Sequence, residues 1–230
     1  MPRPLRINIP NLIFHVLNRG NNRQTVFVET EDYQYYLEII KKYKEKFGIK
    51  IYHYCLMPNH EHFLLEPTQE GALSKFMQGV TQVHTDYSHK GHGSVGHVWQ
   101  SRYKSSLVEK GDYKIQCAYY IEDNPRRAKL VERIEDWPWS SYHFYAYGKL
   151  DPIVDVDLDY LNLGSTSEER QRNYREFFKK IEDQGTLQTI REKLHQGVLG
   201  STDFSETAKK KFGLKLIGRK GRPQKSQKRA

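Results

Sequence analysis

Residues 49–66 constrain this chain most. Ile49–Met57 (IKIYHYCLM) is β-branched and aromatic, and His60–Glu66 (HEHFLLE) resumes that character after Pro58-Asn59. Proline and asparagine supply turn chemistry between two strand-like runs, so the segment predicts a tight antiparallel hairpin. A lone hairpin is not stable in water and must find further strands or a helix to cover it.

The neighbouring segments supply both. Asn11–Asn18 (NLIFHVLN) reads as a strand that Gly20-Asn21-Asn22 ends. Thr30 or Glu31 opens a helix to about Phe47, with Tyr33, Tyr36, Leu37, Ile40 and Tyr43 at helical spacing and Gly48 as its stop. A second helix is predicted over Gly71–His89, then a glycine-rich turn over Lys90–Gly96 and a strand over His97–Val108. Asp112 caps a third helix to about Asn124, where Pro125 biases the preceding residue away from helix. Arg126–Val131 restarts as a short helix, and Trp137–Ser141 forms an aromatic turn. The order β-α-β-β-α-β-α predicts an α+β fold, a ferredoxin-like antiparallel sheet with helices on one face. We place this body at residues 1–147. Residues 148–204 form a linker and a helical C-terminal region, and 205–230 a basic tail. No internal repeat is visible.

Charge separates the tail from the rest. The chain of 230 residues carries a formal net charge of +9. Between Ser205 and Ala230 there are ten basic residues and one acid, Glu206, so the tail holds the whole excess and residues 1–204 are neutral. Such a cationic segment suits phosphate contacts, although a merely solvated end has the same composition. Within it, Lys220-Gly221-Arg222-Pro223, flanked by Arg219 and Lys225, resembles the Arg-Gly-Arg-Pro core of an AT-hook, with Lys in place of the first Arg. No apolar run approaches the ~20 residues of a membrane span, and the first ten residues hold no apolar signal-peptide core. Two cysteines, Cys55 and Cys117, exclude a disulfide scaffold and read as small core residues. A reduced, cytosolic protein is expected.

Two places could carry chemistry. His60 and His62 are separated by two on a strand, so their imidazoles share a face and can share one cation. Spacing alone also allows two histidines in ordinary hydrogen bonds. On the third helix Tyr120 and Asn124 stand at i and i+4, again on one face, a hydroxyl nucleophile beside a neutral oxygen ligand. Tyr113 and Tyr119 lie on the same helix, so periodicity does not single out Tyr120.

Several motifs in order resemble one family. Leu56–Leu65 (LMPNHEHFLL) looks like the histidine–hydrophobic–histidine (HUH) strand of single-tyrosine transposases, and Val16–Gln24 like their first strand and loop. Trp99–Tyr103 (WQSRY), Tyr120–Ala128 (YIEDNPRRA) and Trp137–Tyr142 (WPWSSY) resemble the later elements of the REP-associated tyrosine transposase branch, within the IS200-like family. The resemblance spans roughly residues 8–147. It implies a DNA endonuclease and strand transferase in which His60, His62 and Asn124 bind Mg²⁺ or Mn²⁺. Tyr120 then attacks a DNA phosphate to leave a 5′-phosphotyrosine and a free 3′-OH. The implied partner is single-stranded DNA with hairpins such as REP palindromes, in a bacterial cytoplasm close to the nucleoid. A monomer and a homodimer fit equally.

Arg126 and Arg127, beside the expected nucleophile, are candidate phosphate contacts, as are Arg219, Lys220, Arg222 and Lys225 of the tail. Arg19, Arg23 and Arg102 read more simply as solvated, and His15 and His53 as packing or hydrogen-bonding residues. The middle residue of the histidine motif is ordinarily hydrophobic, and here it is Glu61. Alternation turns it to the opposite face of the sheet. Its place after a turn predicts that it reaches the strand's exposed end; a cationic partner or a decayed site are the other readings. A non-catalytic DNA-binding descendant and a hydrolase using activated water are therefore the rival functions.

Overall fold

The structure is a computed structural model that describes residues 9–93, 95–180 and 184–213. Strands β1 (Ile13–Arg19), β2 (Ile49–Met57), β3 (His60–Pro67), β4 (Lys104–Val108) and β5 (Val198–Leu199) form one sheet in the order β2-β3-β1-β4-β5. The first four are mutually antiparallel and follow the ferredoxin-like order; β5 joins β4 in parallel. The hairpin forms as expected, with Met57 opposite His60.

Helices α1 (Thr30–Phe47) and α2 (Ala72–His92) pack together on one face of this sheet. Helix α1 starts where Asp32 accepts the backbone N–H groups of Val28 and Glu29 at 2.6 and 3.0 Å, and it stops at left-handed Gly48. The two helices approach closely at Gly79, where a Cβ would lie 2.1 Å from the Tyr43 ring. Their shared core holds Tyr36, Ile40, Leu73, Phe76 and Val80 against Val16, Ile51, Phe63 and Leu65 of the sheet.

The expectation of helices on one face is met by this βαββαβ unit, and the chain then adds helices to the other. Helix α3 (Asp112–Glu122) and the short α4 (Asn124–Arg127) follow β4, then α5 (Tyr142–Tyr147), α6 (Leu158–Leu161), α7 (Ser167–Lys180), α8 (Gln184–Gln196) and α9 (Thr202–Phe212). Cys117, Ala118 and Ile121 of α3 and Ile190 and Leu194 of α8 pack on Ile13, Cys55, Leu64 and Val108 of the sheet. Both cysteines are free and buried, as read from the sequence. Alternation explains the two-sided sheet. Strands whose neighbouring residues are both apolar must be covered on both faces.

The C-terminal segment also closes the edge of the sheet. Leu56 N–H donates to Trp139 O, Asp155 exchanges hydrogen bonds with the Ile51 backbone, and Lys44 reaches both Ile153 O and Asp155 at 2.7 and 2.6 Å. These bonds occupy the open rim of β2, which would otherwise be a site for pairing with another chain.

Several boundaries differ from the sequence reading. The short helix expected over Arg126–Val131 spans Asn124–Arg127 instead, with Pro125 in its first turn where no N–H is needed, and Gly111 rather than Asp112 stands at the cap of α3. Helix α2 runs on to His92 through the expected turn. The strand expected over His97–Val108 is regular only from Lys104. Its first half is an irregular segment pinned to the end of β1 by Asn21 N–H to Val98 O (2.8 Å) and Gln100 N–H to Arg19 O (2.9 Å).

Candidate active site

Alternation on β1 and β3 builds the site's floor. His60 and His62 project from the same face of β3, with ring centroids 5.0 Å apart. Leu17 and Arg19 of β1 stand opposite them, and His15 reaches diagonally to His62. Its Nε2 lies 2.8 Å from His62 Nδ1, and the two rings stack at 5.0 Å. His60 Nδ1 is held by Asn59 Oδ1 at 2.6 Å.

Helix α3 brings the second half above that floor. The Tyr120 ring meets His62 and His15 edge-on, each at 6.0 Å between centroids. Asn124 uses its amide nitrogen to cap the helix end, donating to Tyr120 O at 2.9 Å and Ile121 O at 3.0 Å. Its carbonyl oxygen is thereby left for another partner. The Arg127 guanidinium lies 4.4 Å from the Tyr120 ring centroid and donates to Tyr120 O at 2.6 Å.

The helix is braced from behind. Glu122, two residues past the tyrosine, is fully buried and accepts from Tyr174 (2.8 Å) and Ser141 (2.5 Å), with His53 Nδ1 at 2.9 Å. His53 is thus the hydrogen-bonding histidine expected, and it fixes α3 to β2. Burial lowers its pKa, and hydrogen bonds to Asp157 and Glu122 outweigh that and raise it overall.

The two halves enclose a cleft of about 520 Å³. It is lined by His15, His60, His62, Tyr120 and Asn124, by Arg19, Arg102, Lys104 and Arg127, and by Arg191 and His195 of α8. No Asp or Glu is among the described residues lining it. Desolvation, then the nearby Arg19 and Arg127, pull the His60 pKa down to about 4. Burial alone takes His15 to about 3, and burial with the neighbouring His15 and His60 takes His62 well below the usual imidazole range. The three rings are neutral at pH 7, the form that ligates metals.

The residues present fit a divalent cation. Among the described residues, no three His, Cys, Asp or Glu side chains gather as a ready-made metal cluster. The available set is His60, His62 and the carboxamide oxygen of Asn124. Each has its other polar atom pinned by a neighbour, which is how metal ligands are commonly oriented.

Of the residues read from the sequence, His60, His62, Tyr120, Asn124 and Arg127 therefore meet at one cleft. Arg126 does not line it. Its guanidinium turns to Asp123 (2.7 Å) and to the Tyr119 hydroxyl (3.3 Å). Arg219, Lys220, Arg222 and Lys225 lie outside the described residues. His15, Arg19, Arg102, Lys104, Arg191 and His195 are the additions. His15 and Arg19 share strand parity, a signal visible in the sequence, but which face of β1 met the helix was not.

Glu61 corrects an expectation. It points to the opposite face, as alternation requires, but it does not reach an exposed end. It is fully buried among the α1–α2 core. Tyr36 and Asn18 lie near enough to favour its charged form, yet no donor meets either oxygen with hydrogen-bond geometry. Desolvation dominates and pushes its pKa up to about 8. No cation pairs with it among the described residues.

The site is thus a ferredoxin-like sheet that presents two histidines on one strand, with a tyrosine-bearing helix set over them. The family model described as "Transposase IS200 like" matches residues 8–124, just over half of the chain, and the chain belongs to that family. A structure of a REP-associated tyrosine transposase bound to a REP hairpin shares the fold. Its TM-score is 0.51 at 22% identity, over 69% of this chain and 93% of that one. A crystal structure of a candidate transposase from Deinococcus radiodurans R1 aligns at a TM-score of 0.37 and 18% identity, over 59% and 97%, too weakly to bear on the argument. A comparison with curated proteins gives no match. No helix among the described residues is long and apolar enough to cross a membrane.

Proposed function

We propose that this transposase-family chain cleaves and rejoins single-stranded DNA carrying imperfect hairpins, with Tyr120 as the nucleophile. The observation that carries this reading is the convergence of Tyr120, His60, His62 and Asn124 on a cleft lined with cations and with no Asp or Glu among its described lining residues. A cationic cleft attracts a DNA phosphate, and Arg19, Arg102, Lys104, Arg127 and Arg191 are its counter-charges. The Tyr120 oxygen attacks the phosphorus, an O–P bond forms, and the bond to the 3′-oxygen breaks. The products are a 5′-phosphotyrosine and a free 3′-OH. Bond number is conserved, so a 3′-OH rejoins the strand without nucleotide hydrolysis. His60, His62 and Asn124 would hold Mg²⁺ or Mn²⁺, which when bound polarises the phosphate and stabilises the leaving oxygen. Arg127, stacked on Tyr120, positions its ring and offers charge to the same phosphate.

Hairpin DNA is the favoured substrate because the fold is shared with a chain solved on a REP hairpin. The basic segment from Ser205 onward adds sequence-independent phosphate contacts, and truncation before Ser205 should flatten the salt dependence of binding. The burial of Glu61 on the far face leaves the histidine pair intact, which favours an active enzyme over a decayed one.

The test is a labelled hairpin oligonucleotide incubated with the protein and Mn²⁺. We expect an adduct that survives SDS and is absent in Tyr120→Phe. Binding without an adduct, across metals and substrates, would leave a DNA-binding protein. Cleavage that persists in Tyr120→Phe would point to activated water instead.

A further inference from the structure

Tyr120 and Asn124 face the cleft, and Glu122 stands midway between them in the chain. At about 100° per residue, its side chain leaves α3 about 200° away from theirs, at the back of the helix. There it is fully buried and meets three other segments: Tyr174 of α7 at 2.8 Å, Ser141 before α5 at 2.5 Å and His53 Nδ1 of β2 at 2.9 Å. His53 Nε2 lies 3.4 Å from Asp157, the N-cap of α6, and Asp157 accepts from Lys114 Nζ at 2.5 Å. Lys114 belongs to the first turn of α3, about 12 Å along the axis from Glu122. The network thus leaves the helix near its end and returns to it near its start. Helix α7 adds an apolar contact, the Phe178 ring meeting Tyr119 edge-on at 4.9 Å. It therefore grips α3 on both sides of residue 120.

None of Glu122, His53, Asp157, Ser141 and Tyr174 is among the residues lining the cleft, so any effect on the chemistry passes through the helix. Position matters there, because α3 ends at Glu122 and α4 begins at Asn124. A hold on Glu122 sets the rotation and height of Tyr120 on one side and of Asn124 on the other. Apolar packing would attach the helix at least as firmly, since desolvating charged groups offsets much of what their pairing gains. Directed hydrogen bonds add what such packing lacks, a single rotation of the helix.

We propose that Glu122 is a positioning residue for Tyr120, and that Tyr174 and Asp157 carry its hold into the C-terminal region. The aim of Tyr120 then depends on residues beyond 147, outside the body read from the sequence and past residue 124, where the family match ends. The proposal rests on the reading of Tyr120 as nucleophile.

The test uses the full chain with saturating hairpin oligonucleotide and Mn²⁺. It reads the single-turnover rate of adduct formation, and beside it the hairpin affinity in a Tyr120→Phe background. Tyr174→Phe removes one hydroxyl and keeps the ring among Tyr145, Tyr160 and Phe178. A misplacement of about 1 Å costs about 100-fold in rate, so the adduct rate should fall about tenfold or more while affinity stays within about twofold. Ser141→Ala removes the other hydroxyl from Glu122. It should show the same split, and it stands in for Tyr174→Phe if a thermal melt finds that variant unfolded. An unchanged rate per folded molecule overturns the proposal. So does a parallel loss of rate and affinity, because the network would then shape the DNA-binding surface rather than aim the tyrosine. The two readings fail separately. If the parent forms the adduct and the hydroxyl-deleted variants match it, only the positioning role falls; if the parent binds hairpin DNA and forms no adduct, both fall.

Discussion

The two faces of β3 hold polar side chains one residue apart and treat them in opposite ways. On the cleft side, His60 and His62 each have one nitrogen fixed by a neighbour and the other left toward an open, cationic space. On the far side, Glu61 lies in a closed core where the Tyr36 hydroxyl, both nitrogens of His84 and the Trp99 indole N–H are also buried without partners. Those rings are neighbours, with His84 4.8 Å from Tyr36 and 5.5 Å from Trp99. Buried polar groups without partners each cost about 1–3 kcal/mol. The contrast teaches that polarity on a strand is no guide to function. Fixed, solvent-facing donors can do chemistry, while enclosed ones burden stability.

That contrast can be broken at several points. The largest effect should come from His62→Ala, which removes a proposed ligand and the partner of His15. Metal-supported adduct formation should fall by at least about 100-fold, with the melting temperature measured alongside; retention of the adduct would take the histidine pair out of the mechanism. His15→Phe leaves the proposed ligands but frees His62 Nδ1. Losing such an orienting partner commonly costs about 10–100-fold in metal affinity, so a titration of Mn²⁺ against adduct yield should shift by that much while saturating yield recovers.

On the far face the expected changes are in stability. Glu61→Leu replaces an unpaired buried carboxyl with an apolar side chain and should stabilise the protein by about 1–3 kcal/mol in denaturant melts. Adduct formation should survive; its loss in a folded Glu61→Leu protein would show that the two faces are coupled.

His84 gives the smallest effect at neutral pH and a distinct one in acid. Burial lowers its pKa from 6.5 to about 4. Between those values the unfolded chain binds a proton that the folded one does not, so stability is lost as pH falls from about 6.5 to about 4. The loss is about 3 kcal/mol at most. His15, His60 and His62 are lowered too and act in the same window, so His84→Leu should make this part of the stability–pH curve less steep by about one proton's share, and an unchanged slope would contradict the assignment.

Much of the frame was legible in the residues. The hairpin at Pro58-Asn59 and the α1 stop at Gly48 follow from local backbone chemistry, and the helical spacing of Tyr33, Tyr36 and Ile40 follows from the 3.6-residue period. The shared face of His60 and His62 needs only the two-residue period of a strand, and that of Tyr120 and Asn124 only the helical one. The reading was weakest where nonlocal contacts decide. The first half of the expected His97–Val108 strand is irregular because it is tied to the end of β1 rather than laddered along it. Glu61 was misplaced because its burial depends on how closely α1 and α2 cover β3. Strand β5 is two residues long and exists only because β4 offers it an edge.

Local periods thus determined which side chains travel together, because a helix or strand fixes its own faces through bonds a few residues apart. Only the tertiary structure decided which faces meet. Setting Tyr120 over the histidines, turning Arg127 inward and Arg126 away, and bringing Arg191 and His195 from the far end of the chain all depend on packing between segments tens of residues apart. No short-range pattern encodes the angle at which such segments settle.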